Sequence, residues 1–427
     1  MKSIITLLLL TCSCFSFSQS IDKIINAAEV ERIEKILSAD DMQGRKTFTP
    51  GNDKAAAFIA DEFAKSKLKF FGNADSYFQE ISMIKAKPVE ISGMLDADSL
   101  NTSNVAANTT AAEININSLK DFEVVIVKKD DDFSKVVFPL FDIEKNLLIL
   151  VDTAHSKRFK GMQRFTGNAK FSSAVSRVFV LTANLNPASF TLHIKNQLTE
   201  QKLKNVVAVL PGKTKKDEWV VFSGHYDHLG IGKPNKDQDS IYNGANDDAS
   251  GTAAVIMLSK YFSQSKNNER TIIFVAFTAE EIGEFGSQYF SKKIDPAKVA
   301  AMFNIEMIGT ESKWGNNSAY ITGYEKSDFG KILQDNLSGS VFHFEPDPYP
   351  KQNLFFRSDN ASLAELGVPA HTISTSKMDT EKFYHTLDDE IETLDMNNMA
   401  EIIKAIAISS KTIVSGRDTP TRVEKSE

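Results

Sequence analysis

The chain has 427 residues, 42% of them hydrophobic and 25% charged, with a net charge of -7. That composition is ordinary for a globular protein, and the length suits about two or three domains. The acidic balance leaves no basic footprint, which argues against nucleic acid as a partner. Past the N-terminal segment no stretch is apolar enough to span a bilayer.

The chain opens on "MKSIITLLLLTCSCFSFSQS", one early lysine followed by a short apolar run and then small residues. This predicts a signal peptide over residues 1–18, cleaved near Ser18–Gln19, and a protein exported to the periplasm or the medium. Both cysteines, Cys12 and Cys14, fall in this segment. The mature chain therefore has neither disulfides nor a thiol nucleophile. Cys14 offers a lipid-anchor position, but Thr11 and Ser13 make a poor lipidation box.

Residues 19–85 carry two helical patterns, in "IDKIINAAEVERIEKILSAD" and in "GNDKAAAFIADEFAKSKLKFF". Over 86–204 the texture changes to short apolar runs such as "FEVVIV", "NLLILV", "RVFVLT" and "FTLHI", which predict a β-rich insert or accessory domain. Within it "KKDDD" (Lys128–Asp132) reads as a solvated loop, and the polar run 153–173 is expected to be mobile. Over 205–414 strand and helix patterns alternate. "NVVAVLPG", "EWVVFSGHYD", "RTIIFVAFTAEE", "AAMFNIEM" and "PAHTIST" read as strands; "GTAAVIMLSKYFSQ", "GSQYFSKKI" and "NNMAEIIKAIAISSKTIV" read as helices. The alternation predicts a layered α/β domain with a mixed, largely parallel sheet. The polar tail 415–427 is expected to be disordered.

In such a sheet the chemistry gathers at the carboxyl ends of the strands. Here apolar runs end in His225 and Asp227, in Glu280 and Glu281, and in Glu306; His385 follows in "KFYHTLDDE", and "YNGANDDASG" supplies Asp247 and Asp248. Taken singly each has a bland reading: a structural histidine, a charged turn, a solvated acidic loop. The conjunction is what points to metal. Zinc takes histidine nitrogen and carboxylate oxygen, and a pair of ions needs one shared carboxylate with about two further ligands each. Asp227, two residues past His225 on an extended chain, is placed to orient the imidazole. If the strand ends at "EE", one glutamate can bind metal while the other acts as general base.

These residues resemble the co-catalytic zinc aminopeptidases of the bacterial leucyl-aminopeptidase type, relatives of glutamate carboxypeptidases and glutaminyl cyclases. The resemblance runs through "GHYDHLG", "NGANDDASG", "FTAEEIGEFGSQYF", "FNIEMIG", "FRSDNASLAELGVPA" and "FYHTLDDEIETLD", with "DDMQGRKTFTPGNDKAAAFIADEF" like the segment that opens such domains. It covers about 21–78 and 205–414 and leaves out the insert, which sits where some relatives carry a protease-associated domain. The fold it implies is a three-layer α/β/α zinc-peptidase domain. The roles it implies are His225 on one zinc, Asp247 bridging, Glu281 and His385 on the second, Glu306 completing the first, Glu280 as general base and Asp227 as orienter. Asp248 has no ligand role and suits a helix cap. Two positions depart from the pattern: Glu306 stands where relatives have aspartate, and Asn360, beside Ser358 and Asp359, where they often have histidine. His228 and His371 lie near motif residues, each open between contact with substrate or with a metal ligand and ordinary packing.

The activity implied is removal of N-terminal residues from peptide substrates by two-zinc water activation. Three rivals stand beside it: a glutaminyl-cyclase-like transferase with one zinc on Asp247, Glu281 and His385, a carboxypeptidase of the same fold, and a binding module without chemistry. The last is disfavoured because Glu280 is retained beside the ligands.

Overall fold

The computed structural model describes residues 21–425, so the expected signal peptide and both cysteines lie outside the described residues. The chain divides into two units, one made of residues up to Ile81 together with Leu203 onward, the other of Ser82–Lys202.

In the first unit, helices α1 (Ala27–Leu37) and α2 (Pro50–Lys65) precede the sheet. Asn26 caps α1 by accepting from the Glu29 amide, and Val30, Ile33 and Leu37 line its buried face at helical spacing. Strand β1 (Phe190–Leu210) enters the unit at its C-terminal end and is followed by β2 (Lys215–His225), α3 (Ser250–Ser265), β3 (Arg270–Phe277), α4 (Phe285–Ser291) and β4 (Val299–Ile305). Then come β5 (Ser318–Ile321), α5 (Phe329–Asn336), β6 (His343–Pro346), β7 (Ala370–Ser374) and α6 (Met396–Ser409). The strands lie in the order β6-β5-β7-β4-β2-β3-β1. The pairs β2–β3, β2–β4, β4–β7 and β5–β6 are parallel, while β3–β1 and β5–β7 are antiparallel. This is the mixed, largely parallel sheet expected.

Every residue of β3 and β4 is buried, because helices cover both faces. One face packs Phe222, Phe274 and Phe303 against α1, α2, α3, α5 and α6. The other packs Val221, Val275 and Met302 against Phe290 of α4 and the segment around Leu363. Such two-sided burial explains why the central strands read as continuous apolar runs instead of alternating ones.

Register then fixes the site. His225 lies opposite Phe277 and Ser223 opposite Asn304, so Glu306, two residues past Asn304, comes level with His225 at the carboxyl edge. Glu280 and Glu281 follow the end of β3 at the same edge.

The second unit holds parallel strands Glu123–Val127, Leu147–Asp152 and Arg177–Thr182, with Val105–Asn108 antiparallel at the end. The polar run 153–173 is not an irregular loop: it contains the helix Ser156–Thr166, which buries Phe159 and Met162 at i, i+3. Its polar composition reflects a helix with a single narrow buried stripe. The tail also departs from expectation. Arg270 donates to the Asp418 carbonyl and Arg422 to those of Val299 and Pro296, while Val423 is buried. Arginine side chains tie down a segment whose own composition is polar.

Candidate metal centre

Asp247 lies at the middle of the predicted residues. His225 Nε2 is 3.2 Å from Asp247 Oδ1, and His385 Nε2 is 3.2 Å from Asp247 Oδ2 and 3.0 Å from Glu281 Oε2. His225, Asp247 and Glu306 converge on one point, and His228, Asp247 and Glu281 on a second. Asp247 belongs to both. Glu280 Oε2 stands 3.9 Å from His225 Nε2, outside both groups.

The donor atoms fit a cation better than one another. Buried His225 Nε2, both ring nitrogens of His228, Asp247 Oδ2, Glu281 Oε1 and Glu306 Oε2 have no aligned hydrogen bond. Buried polar atoms are ordinarily paired, so six orphans around two points call for a third body at each. The electrostatics agree. Burial pushes Glu306 up to about 7, and the carboxylates of Asp247 and Glu281 add to the rise against the pull of His225. Burial also lifts Glu280 well above the usual carboxylate range, with Glu306 and Asp359 reinforcing it against His225. Asp247 goes the other way: burial would raise it, but the imidazoles of His225 and His385 close beside it hold it well below. Acids crowded in a low-dielectric pocket ionise together only where positive charge is supplied. Imidazole nitrogen and carboxylate oxygen, the donors in these groups, are ligands that zinc accepts.

The backbone around Asp247 is built for close approach. Gly244 has φ +57°, and a Cβ there would stand 2.3 Å from the Asp247 carbonyl oxygen and 2.5 Å from His228 Cδ2. Asp389 accepts from the amides of Asn246 and Asp247 at 2.8 and 3.0 Å. Arg45, fully buried, donates to the carbonyls of Leu37, Tyr226, Asn243, Gly244 and Asp247. It thus joins the end of β2 to the loop that carries Asp247. Neither Arg45 nor Asp389 stood out in the sequence; the only signal for Arg45 was its place in "DDMQGR", and for Asp389 its place four residues past His385.

Asp248 does more than cap a helix. Its Oδ1 accepts from the Gly251 amide at the start of α3 and from the Met307 amide, and its Oδ2 accepts from the His225 amide. The residue straps the ends of β2 and β4 to α3. Asp227 is placed differently from expectation. His225 Nδ1 is 3.1 Å from the Asp227 carbonyl oxygen and 3.9 Å from its carboxylate, so the backbone oxygen is the nearer orienting partner. The carboxylate instead accepts from the amides of Glu280 and Glu281, because it is buried directly beneath that turn. His371 is a packing residue: Ser327 Oγ at Nε2 and the Thr322 carbonyl at Nδ1 occupy both nitrogens, and its ring stacks on Phe329. Asn360 is likewise structural, donating to Phe355 and Ala370 carbonyls and accepting from Thr372 Oγ1.

Residues 205–409 match the model of peptidase family M28. The matched segment contains His225, Asp227, Asp247, Glu280, Glu281, Glu306 and His385, every residue of the expected site. A probable leucine aminopeptidase of Trichophyton verrucosum is 30% identical over 219 residues, covering 47% of this chain and 54% of its own length. The chain spans about half the length of the curated relatives it matches. Among solved structures, BSAP, a zinc aminopeptidase from Bacillus subtilis, aligns with a TM-score of 0.55 at 15% identity, covering 94% of this chain and 98% of that one. The glutaminyl cyclase of Porphyromonas gingivalis aligns with a TM-score of 0.50 at 11% identity, covering 92% and 99%. At such identities the likeness to solved structures is one of fold. Among the described residues no helix is long and apolar enough to cross a membrane.

Proposed function

We propose that the protein is an exported zinc aminopeptidase that removes N-terminal residues from peptides. The observation that carries this reading is the convergence of buried, unbonded donor atoms on two points that share Asp247, with Glu280 beside them but in neither group. The M28 match, the aminopeptidase names of the curated relatives and the apolar N-terminal run support it. His225, Asp247 and Glu306 would hold one zinc, and Asp247, Glu281 and His385 the second.

Bound zinc lowers the pKa of a water from 15.7 towards about 7 and polarises a carbonyl. Glu280 is the group that moves the proton. Its amide is anchored on Asp227 Oδ1 while its side chain remains 14% exposed and open to the site. Its carboxylate accepts the water's proton and returns it to the leaving amine nitrogen, a task suited to an acid lifted by burial. Asp227 positions that carboxylate through the backbone of the turn.

Zinc analysis together with hydrolysis of aminoacyl-nitroanilides tests the reading. Glu280→Gln should keep the zinc content of the wild type and lose roughly 10²–10⁴-fold in rate. A variant with undiminished turnover would remove Glu280 from the mechanism. One zinc per chain with cyclisation of N-terminal glutamine would assign the transferase instead, and shortening of peptides from the C-terminus the carboxypeptidase.

A further inference from the structure

His228 is absorbed by none of the roles above, yet it is among the most enclosed polar groups of the site. Its side chain is buried, and neither ring nitrogen has an aligned hydrogen bond. A buried histidine used only for packing satisfies its nitrogens, as His371 does with Ser327 and Thr322. His228 Nδ1 instead stands 2.7 Å from Glu281 Oε1 and 3.8 Å from Asp247 Oδ2. At 2.7 Å an aligned N–H would donate to the carboxylate, but Oε1 is itself without an aligned hydrogen bond. Nitrogen and oxygen are thus close but unaligned, and with Asp247 they form one group of donor atoms that could hold an ion.

We propose that His228 is a fourth protein ligand at the second metal position, alongside Asp247, Glu281 and His385. This inference rests on the metal reading proposed above and adds an asymmetry to it. The first position has three protein ligands, His225, Asp247 and Glu306, as an open catalytic site does; the second has four, as a closed and tightly held one does. The local fold supports the assignment. Gly244, in its left-handed conformation, leaves room for the His228 ring, against which a side chain at 244 would collide. His228 also follows His225 by three residues after β2 has ended, so both imidazoles can turn into one pocket from a single loop.

Cobalt substitution of the full chain gives a direct count. A histidine bound to Co(II) shows its remaining ring N–H as a strongly shifted proton signal that is lost when the protein is prepared in D2O. Three such signals are expected, from His225, His385 and His228, and His228→Gln should leave two. Chelator competition should show the more tightly held ion weakened in that variant beyond the roughly 10–100-fold that loss of an outer partner costs. Two signals in the wild-type protein would overturn the inference while leaving the two-metal reading standing. Rescue of tight binding by His228→Asn, which restores a hydrogen-bond donor to Glu281, would overturn it in the same way. Failure to take up cobalt at all would bring down the metal reading and this inference with it.

Discussion

The two halves of the proposed metal cradle are built in different ways. The half around Glu306 stands on regular structure: His225 ends β2, Glu306 follows β4, and the register of the two strands brings them level. The half around Glu281 stands on loops. Glu281 lies in the turn after β3, held through its amide by Asp227, and His385 lies in an irregular segment with φ +57° and its ring stacked on Tyr384 at 3.9 Å. Sheet pairing places the first pair of proposed ligands; a hydrogen bond to Asp227 places Glu281, and those made by Asp389 and Arg45 place the loop of the shared Asp247. Sites on strands inherit precision from the sheet, while sites on loops need a polar framework beneath them.

That difference can be broken from the shared residue outward. Asp247→Asn removes a ligand from both halves and should abolish turnover while releasing zinc from both. Glu306→Ala should release one zinc and leave the other, because it touches only the strand-built half; metal analysis after dialysis separates the two outcomes. Arg45→Met leaves five backbone carbonyls, three of them in the segment that carries Asp247, without their donor. It should cost several kcal/mol in urea unfolding, since each buried acceptor left unsatisfied costs about 1–3 kcal/mol. Asp248→Asn keeps the side-chain shape and both ions, costing about 1–3 kcal/mol of stability through weakened bonds to three amides.

The last effect lies away from the cradle and is confined to acid pH. Burial lowers His371 to about 4, so the folded protein keeps it neutral while the unfolded chain protonates it near pH 6.5. The unfolded state therefore binds the extra proton, and stability is lost as pH falls from about 6.5 to 4, by up to about 3 kcal/mol. His371→Gln should flatten that part of the acid limb in urea titrations across this range.

The contrast between the halves also explains what could be read from sequence. Residues 205–414 alternate strand and helix patterns clearly, since the central strands are buried on both faces, and the ligands at strand ends are visible as apolar runs stopping at His or Glu. Glu281 and His385 gain their assignment from the motif resemblance, because nothing local marks a loop residue as a ligand. Arg45 and Asp389 escape both routes: their partners are backbone groups far away in the chain, and side chain to backbone bonds leave no pattern in composition. The same blindness explains the tail, whose order depends on Arg270 and Arg422, and the carboxylate of Asp227, whose partners were set by the turn above it. His228 was visible only as a nearby histidine. Its unbonded nitrogens become apparent once the fold encloses it.

The claim on which everything rests is that one aspartate serves two ions and its neighbour serves none. Zinc content per chain, measured side by side in the wild type, Asp247→Asn and Asp248→Asn, tests it most directly. The account predicts two zinc ions in the wild type, two in Asp248→Asn and a loss at both positions in Asp247→Asn. Full zinc retained in Asp247→Asn, or lost equally in both variants, would contradict it.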